Sequence, residues 1–368
     1  MLLFTPGPTP VPERVRQAMA VPSLHHRTPE FTKIFKEARE LLLDLLKMDD
    51  CVMLASTGTG AMEACVTNLC QKKALVVNGG KFGERFAKIA RAFGKEVVEL
   101  CYNWDEPAKV EDVQEALRQH PDIDAFFIQI CESSGGLRHP VEDIAAQIKA
   151  INPDIAVIAD GITAVGVEPI DTTNIDALIT GSQKALMLPP GLAMVGLSRF
   201  GLRRVGDGAG FYFNLASELK KQREGTTAYT AATTLIMGLR EVLHMMIKEV
   251  GLDELYDRTD RRATATRVAL ESIGLRIYPQ KPATAMTAIY DEQAEEIRKL
   301  LKSRYGVNVA GGQEHLKGKL FRINHMGFIE PYEAAWVVNA VERALSDLGR
   351  IEYRGEAQRV FNELYFEE

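Results

Sequence analysis

Nowhere does the sequence hold a run of about 20 apolar residues, the length a helix needs to cross a bilayer, so no membrane span is expected. Its start, MLLFTPGPTP, lacks the basic and long apolar regions of a secretory signal and is broken by Pro6. Positive charge is not in excess either: 44 Lys and Arg stand against 50 Asp and Glu, a formal net charge of −6. A surface that repels phosphate overall argues against a nucleic-acid or anionic-membrane binder, although a local pocket can still take a small anion. The cysteines number only five (Cys51, Cys65, Cys70, Cys101, Cys131), with no CxxC pair. Apolar neighbours such as Ile130 point to free thiols in the core rather than disulfides or zinc. No internal repeat is visible, and 29 Gly and 16 Pro in 368 residues are ordinary, which removes solenoids, fibres and disorder. A soluble cytoplasmic protein of about two domains is expected.

What is present is a regular alternation. Phe31, Ile34, Phe35, Ala38, Leu41, Leu42 and Leu45 recur at three and four residues and predict a helix from about Phe31 to Lys47. Short β-branched runs then alternate with amphipathic stretches: CVMLAS, KALVVN, EVVELC, DAFFIQI, IAVIAD and DALITG, separated by helical patterns near 61, 85–93, 110–118 and 141–150. That order predicts an α/β fold, a parallel sheet with helices on both faces. Gly201, Gly206, Gly208 and Gly210 crowd a polar stretch that reads as a loop. Helical patterns follow over 231–250 and 252–273. The runs LRIYP, TAMTAIY, VNVA and LFRINH, with helices over 292–304 and 331–348, make a smaller C-terminal α/β domain. The tail reads as a docking amphipathic helix through Val360, Phe361, Leu364 and Tyr365.

Three features carry chemistry. Residues 56–63, STGTGAME, lie between a strand and a helix, where free backbone N–H groups and the helix dipole attract an anion. The loop is neither a Rossmann fingerprint, which needs glycine where Glu63 stands, nor a Walker A loop, which needs a Lys-Ser/Thr pair. Asp160 ends a buried apolar strand, where ligands of open α/β sheets bind. Lys184 ends another, where desolvation lowers an ammonium pKa. A phosphate cradle, a carboxylate for a pyridinium nitrogen and a Schiff-base lysine are together the parts of a pyridoxal phosphate site.

The sequence resembles the class V aminotransferases of the fold-type I pyridoxal phosphate enzymes, in particular the alanine–glyoxylate and serine–pyruvate branch. TPGPTPVP (5–12), HRTPEF (26–31), STGTGAMEA (56–64), NGGKFGER (78–85), ESSGG (132–136), ADGITAVG (159–166), GSQKAL (181–186) and LFRINHMG (320–327) carry the likeness. It implies a large, mostly parallel seven-strand-type sheet domain over 16–250, a smaller C-terminal domain over 251–368, and an N-terminal segment, 1–15, that lines the active site. Lys184 would hold the cofactor and shuttle the substrate α-proton, and Asp160 would pair with the ring nitrogen. Gly58, Thr59 and Gln183 would hold the phosphate, with Thr57 beside them. Thr230, and more loosely Thr227, match phosphate contacts made across a dimer interface. Phe82 would stack on the ring, Ile162 would pack on its other face, and Ser133 would bond near the ring hydroxyl. Arg322 would take the substrate α-carboxylate, and Gly7 would line the substrate site.

The expected activity is therefore a ping-pong transfer of an amino group from alanine or serine to glyoxylate or pyruvate, in a homodimer. Arg27 could serve a side-chain carboxylate, so aspartate or another donor stands as an alternative. A desulfurase or related lyase is disfavoured, because it needs a nucleophilic cysteine late in the chain and every cysteine here lies at or before 131. A catalytically idle assembly subunit would have no need to keep Lys184, Asp160 and Arg322 together. His25 and His26 have no third partner for a metal and read as structural or substrate-adjacent.

Overall fold

The computed structural model describes residues 1–366. Its larger sheet has seven strands, in the order Asp50–Leu54, Ala193–Leu197, Ala177–Gly181, Ala156–Asp160, Ala125–Gln129, Lys73–Asn78 and Glu96–Cys101. Only Ala193–Leu197 runs antiparallel to its neighbours. The expected mostly parallel sheet is borne out, and the residue alternation explains it. Phe126 and Ile128 enter the core filled by Phe35 and Leu42 of the Pro29–Leu46 helix, whereas Ala125 and Phe127 enter the one shared with Met62 and Phe86. Val157 and Ile158 divide the same way. Gln129 lies opposite Asp160, and Asp160 opposite Ile179, so the carboxyl ends of three neighbouring strands come level.

A second sheet runs Leu2–Phe4, Val307–Gly311, Leu320–Asn324, Met286–Tyr290, Arg276–Ile277. The first residues of the chain thus pair in parallel with Val307–Val309, far away in sequence. Helices Leu252–Ser272, Ala294–Arg304, Pro331–Asp347 and Glu356–Phe366 cover this sheet, burying Phe4, Leu270, Ile297, Leu301, Val341 and Phe361. The buried Arg262 donates to the carbonyls of His325 (2.6 Å) and Ile329 (3.1 Å), which fixes the turn after Leu320–Asn324.

Four details differ from the sequence reading. Cys101 is exposed rather than in the core, because Glu96–Cys101 is the edge strand and Cys101 is its last residue. Gly201 sits inside the Arg199–Val205 helix, whose start Ser198 caps by accepting the Gly201 N–H at 3.0 Å; the loop begins only at Gly206. The 231–250 helix starts at Thr233 and widens to π geometry over Met245–Val250, before Gly251 separates it from the next. In the tail helix Ala357, Phe361 and Tyr365 are buried at four-residue spacing, while Leu364 is 44% exposed. Phe361→Ala should accordingly cost about 3–5 kcal/mol in urea denaturation, and Leu364→Ala about 0.5 kcal/mol or less; equal losses would contradict this face assignment.

Candidate active site

Of the residues singled out in the sequence, Thr57, Gly58, Thr59, Phe82, Ser133, Asp160, Ile162, Gln183 and Lys184 line one cavity of about 200 Å³ at the carboxyl rim of the larger sheet. Gly7 is not among its lining residues, yet it abuts Lys184: its φ is +96°, and a Cβ there would lie 2.6 Å from Lys184 Cδ. The N-terminal segment holds the lysine turn from several sides. Lys184 Nζ donates to the Pro6 carbonyl, the Thr9 hydroxyl donates to the Lys184 carbonyl at 2.7 Å, and the Thr9 N–H donates to the Gln183 carbonyl at 3.2 Å. Ser182 fastens the same turn from below, its hydroxyl donating to the Pro189 carbonyl (2.7 Å) and accepting from the Leu192 N–H (3.2 Å). Burial pushes the Lys184 ammonium down to about 8.

Asp160 is nearly inaccessible, and burial, with a smaller contribution from the nearby Glu132 carboxyl, pushes it up to about 7. One of its oxygens accepts the Ile162 N–H at 2.9 Å. Gly58 opens the Gly58–Leu69 helix, whose N-cap Thr57 makes no side-chain cap bond. A Cβ on Gly58 would overlap Ile162 Cδ1, so glycine lets the helix start pack against the Ile162 side chain without displacing it. The first amides of that helix border the cavity, a ready donor set for an anion. Gln183 contributes a buried amide oxygen with no partner.

Several contributors escaped the sequence reading. Arg85, Cys131 and Thr163 also line the cavity. The Arg85 guanidinium stands 4.7 Å from the Phe82 ring centre, and its Nη1 donates to the Thr59 hydroxyl at 3.1 Å. Helical spacing held the signal, since Arg85 lies one turn beyond Phe82 in NGGKFGER. Glu132, the first residue of ESSGG, is buried, and desolvation raises its carboxyl. It accepts from the N–H groups of Phe82 and Gly83 (3.0 Å each) and from the Ser134 N–H (3.1 Å) and hydroxyl (2.6 Å). A single carboxylate thus ties the Phe82 backbone to the segment that carries Ser133.

Other expected residues lie outside the cavity lining. Arg322 is buried next to it, donating to the carbonyls of Ser133 (2.6 Å) and Gly311 (2.7 Å), and burial lowers its pKa to about 10. Its Nε has no partner. Thr227 and Thr230 border a different hollow; Thr227 is buried with its hydroxyl on the Tyr229 carbonyl at 2.5 Å, and Thr230 is exposed. His25 and His26 lie ring against ring at 4.7 Å, and Arg27 is exposed. Among the described residues no three His, Cys, Asp or Glu side chains are grouped to hold a metal, and no helix is long and apolar enough to cross a membrane.

A family model described as aminotransferase class V matches residues 1–329. The chain is 50% identical over 367 residues, the whole of both chains, to a Helicobacter pylori protein named as an uncharacterized aminotransferase. It is 29% identical over 368 residues to the serine–glyoxylate aminotransferase of Methylorubrum extorquens, covering 94% of this chain and 91% of that one. Among solved structures, the subgroup IV aspartate aminotransferase of Thermus thermophilus superposes with a TM-score of 0.88 at 33% identity, covering 94% of this chain and 99% of that one.

The raised Asp160 pKa has a consequence for stability. Between the ordinary 3.8 and about 7 the folded protein holds this proton and the unfolded chain does not, so the folded state loses stability as pH climbs through that window. Asp160→Asn keeps an acceptor for the Ile162 N–H and should stabilise the unliganded protein by on the order of a few kcal/mol above about pH 7, and by little near about pH 4. Thermal melts at the two pH values check this; a gain that does not grow with pH would sink it.

Proposed function

Since the chain belongs to the class V aminotransferases, we propose that it moves the amino group of a small amino acid, alanine or serine, to glyoxylate or pyruvate. Its fold is that of the fold-type I pyridoxal phosphate enzymes, and as an aminotransferase it uses that cofactor on amino acid and 2-oxo acid substrates. The observation that carries the site assignment is the convergence of Lys184, Asp160 and the Gly58–Leu69 helix start on one cavity. These residues fit the group: the helix start suits its phosphate, Asp160 its ring nitrogen, and Phe82 and Ile162 its ring. Gln183 also lines this cavity, with its amide oxygen buried and unpartnered.

When bound, pyridoxal phosphate supplies an electron-withdrawing ring that accepts the charge left as the substrate α-carbon loses its proton. The chain's residues do the rest. A lysine pushed down to about 8 keeps a usable fraction of neutral amine near neutral pH, so Lys184 would hold the cofactor's aldehyde carbon. Displaced by the incoming amine, its Nζ would take the α-proton and deliver it to the carbon it had held, on the other side of the amine nitrogen. Asp160, its carboxylate stabilised by a cationic partner, would keep the ring nitrogen protonated. Arg322 has donors left beyond its two carbonyl bonds and would orient the substrate α-carboxylate.

Small substrates are favoured by the modest cavity and by the relative named for serine and glyoxylate. Aspartate as donor rests on the name of the Thermus thermophilus structure; Arg27, which would have to meet its second carboxylate, is exposed outside the cavity. We also propose a homodimer in which Thr230 of each chain reaches the other's cavity. Supporting this, Thr230 follows an exposed aromatic group in which Tyr229 and Tyr212 stack at 5.1 Å and Phe211 is 80% exposed. Free thiols favour a reducing, cytoplasmic setting.

Purified protein supplied with cofactor should be yellow, lose that absorbance with L-alanine or L-serine, and regain it with glyoxylate or pyruvate. A panel that finds aspartate alone effective would overturn the donor assignment. Lys184→Ala should abolish turnover, and in the same panel Arg322→Ala should raise KM on the order of tenfold or more through loss of a charged contact. Sedimentation equilibrium should give twice the 40.8 kDa chain mass; a monomer at assay concentration would remove the shared-site proposal.

A further inference from the structure

The cavity contains a cation that the scheme above leaves without a task. Arg85 is half-buried in the wall, and among the described residues no carboxylate pairs with it. Its protein partners are the face of Phe82, at 4.7 Å, and the Thr59 hydroxyl, at 3.1 Å. Neither neutralises it. A half-buried guanidinium with five donors and so few protein acceptors keeps donors free for an anion in the cavity.

The hydrogen bond to Thr59 says where that anion sits. A threonine hydroxyl has a single proton; by accepting from Arg85, the Thr59 oxygen leaves its own O–H free to donate elsewhere. Thr59 is the second residue of the Gly58–Leu69 helix, whose first amides are unpaired within it. Guanidinium, hydroxyl and helix start therefore converge on one spot at the end of the cavity, a donor set matched to a dianionic phosphate.

We propose that Arg85 is a phosphate-binding residue of the cofactor site: it supplies the charge that balances the cofactor's phosphate and fixes the Thr59 hydroxyl as a donor to the same group. This rests on the assignment of the cavity to pyridoxal phosphate. Because Arg85 also lies against Phe82, the alternative is a role confined to holding the aromatic ring, and the two differ in what they ask of the ligand.

Cofactor-free protein titrated with pyridoxal phosphate and, separately, with pyridoxal, which has the ring and aldehyde but no phosphate, separates them by the absorbance of the lysine-bound form. Arg85→Gln should weaken pyridoxal phosphate on the order of tenfold to a hundredfold, as for loss of a charged hydrogen bond. It should leave pyridoxal within about twofold, where nothing was charged. Arg85→Lys should recover part of the loss, and it keeps the test available should the glutamine variant fold poorly. Unchanged affinity for the phosphorylated form, or equal weakening of both ligands, would overturn the inference while leaving the cofactor site standing. Wild-type protein that binds neither ligand would overturn both.

Discussion

Because both faces of the seven-stranded sheet are covered by apolar side chains, its polar groups have only the strand ends to occupy. Burying an unpaired carboxylate or ammonium in mid-sheet would cost several kcal/mol, so Asp160 and Lys184 stand where the cores stop and backbone donors become available. Parallel pairing sends three carboxyl ends to one rim, with Gln129, Asp160 and Ile179 in register. The site's location is thus set by the pairing order, and its pKa values by how deep that rim lies. Burial there moves the acid and the base towards neutrality from opposite sides, Asp160 up to about 7 and Lys184 down to about 8.

The second sheet touches this chemistry by two routes. One is the N-terminal strand, which pairs with Val307–Val309 and then lays Pro6, Gly7 and Thr9 against the lysine turn. The other is Arg322, whose guanidinium bridges the Ser133 and Gly311 carbonyls and so ties the second sheet to the cavity segment that carries Ser133. A shift of the smaller sheet would therefore be felt at Lys184 through its hydrogen bonds to Pro6 and Thr9, and at Ser133 through the Arg322 side chain.

Much of this was legible because it is local. The Gly58 loop, Asp160 and Lys184 each declare themselves by position at the end of an apolar run, and short β-branched runs sufficed for the strands. What was missed depends on partners distant in sequence. Nothing around Cys101 says that Glu96–Cys101 lies at an edge, since edge position is a property of the whole sheet. Leu364 and Phe361 look alike until the facing helix selects Ala357, Phe361 and Tyr365. The two carbonyl partners of Arg322 belong to other segments and leave no mark on LFRINH itself. Thr227 and Thr230 sit outside the cavity of their own chain, as contacts made across an interface would.

Glu132 shows a further effect of such long-range dependence. The Lys81–Ala92 helix begins at Gly80 with no side-chain cap of its own, and its first amides are met by a carboxylate 50 positions further along the chain. Cap and helix are thus made from separate parts of the polypeptide. A ribosome releasing this chain has finished the helix well before it supplies the cap, so the start of the helix, and with it Phe82 and Arg85, acquires its final order only once the strand leading to Glu132 has been laid into the sheet. The wall of the reaction chamber thus depends for its order on a segment made 50 residues later than itself.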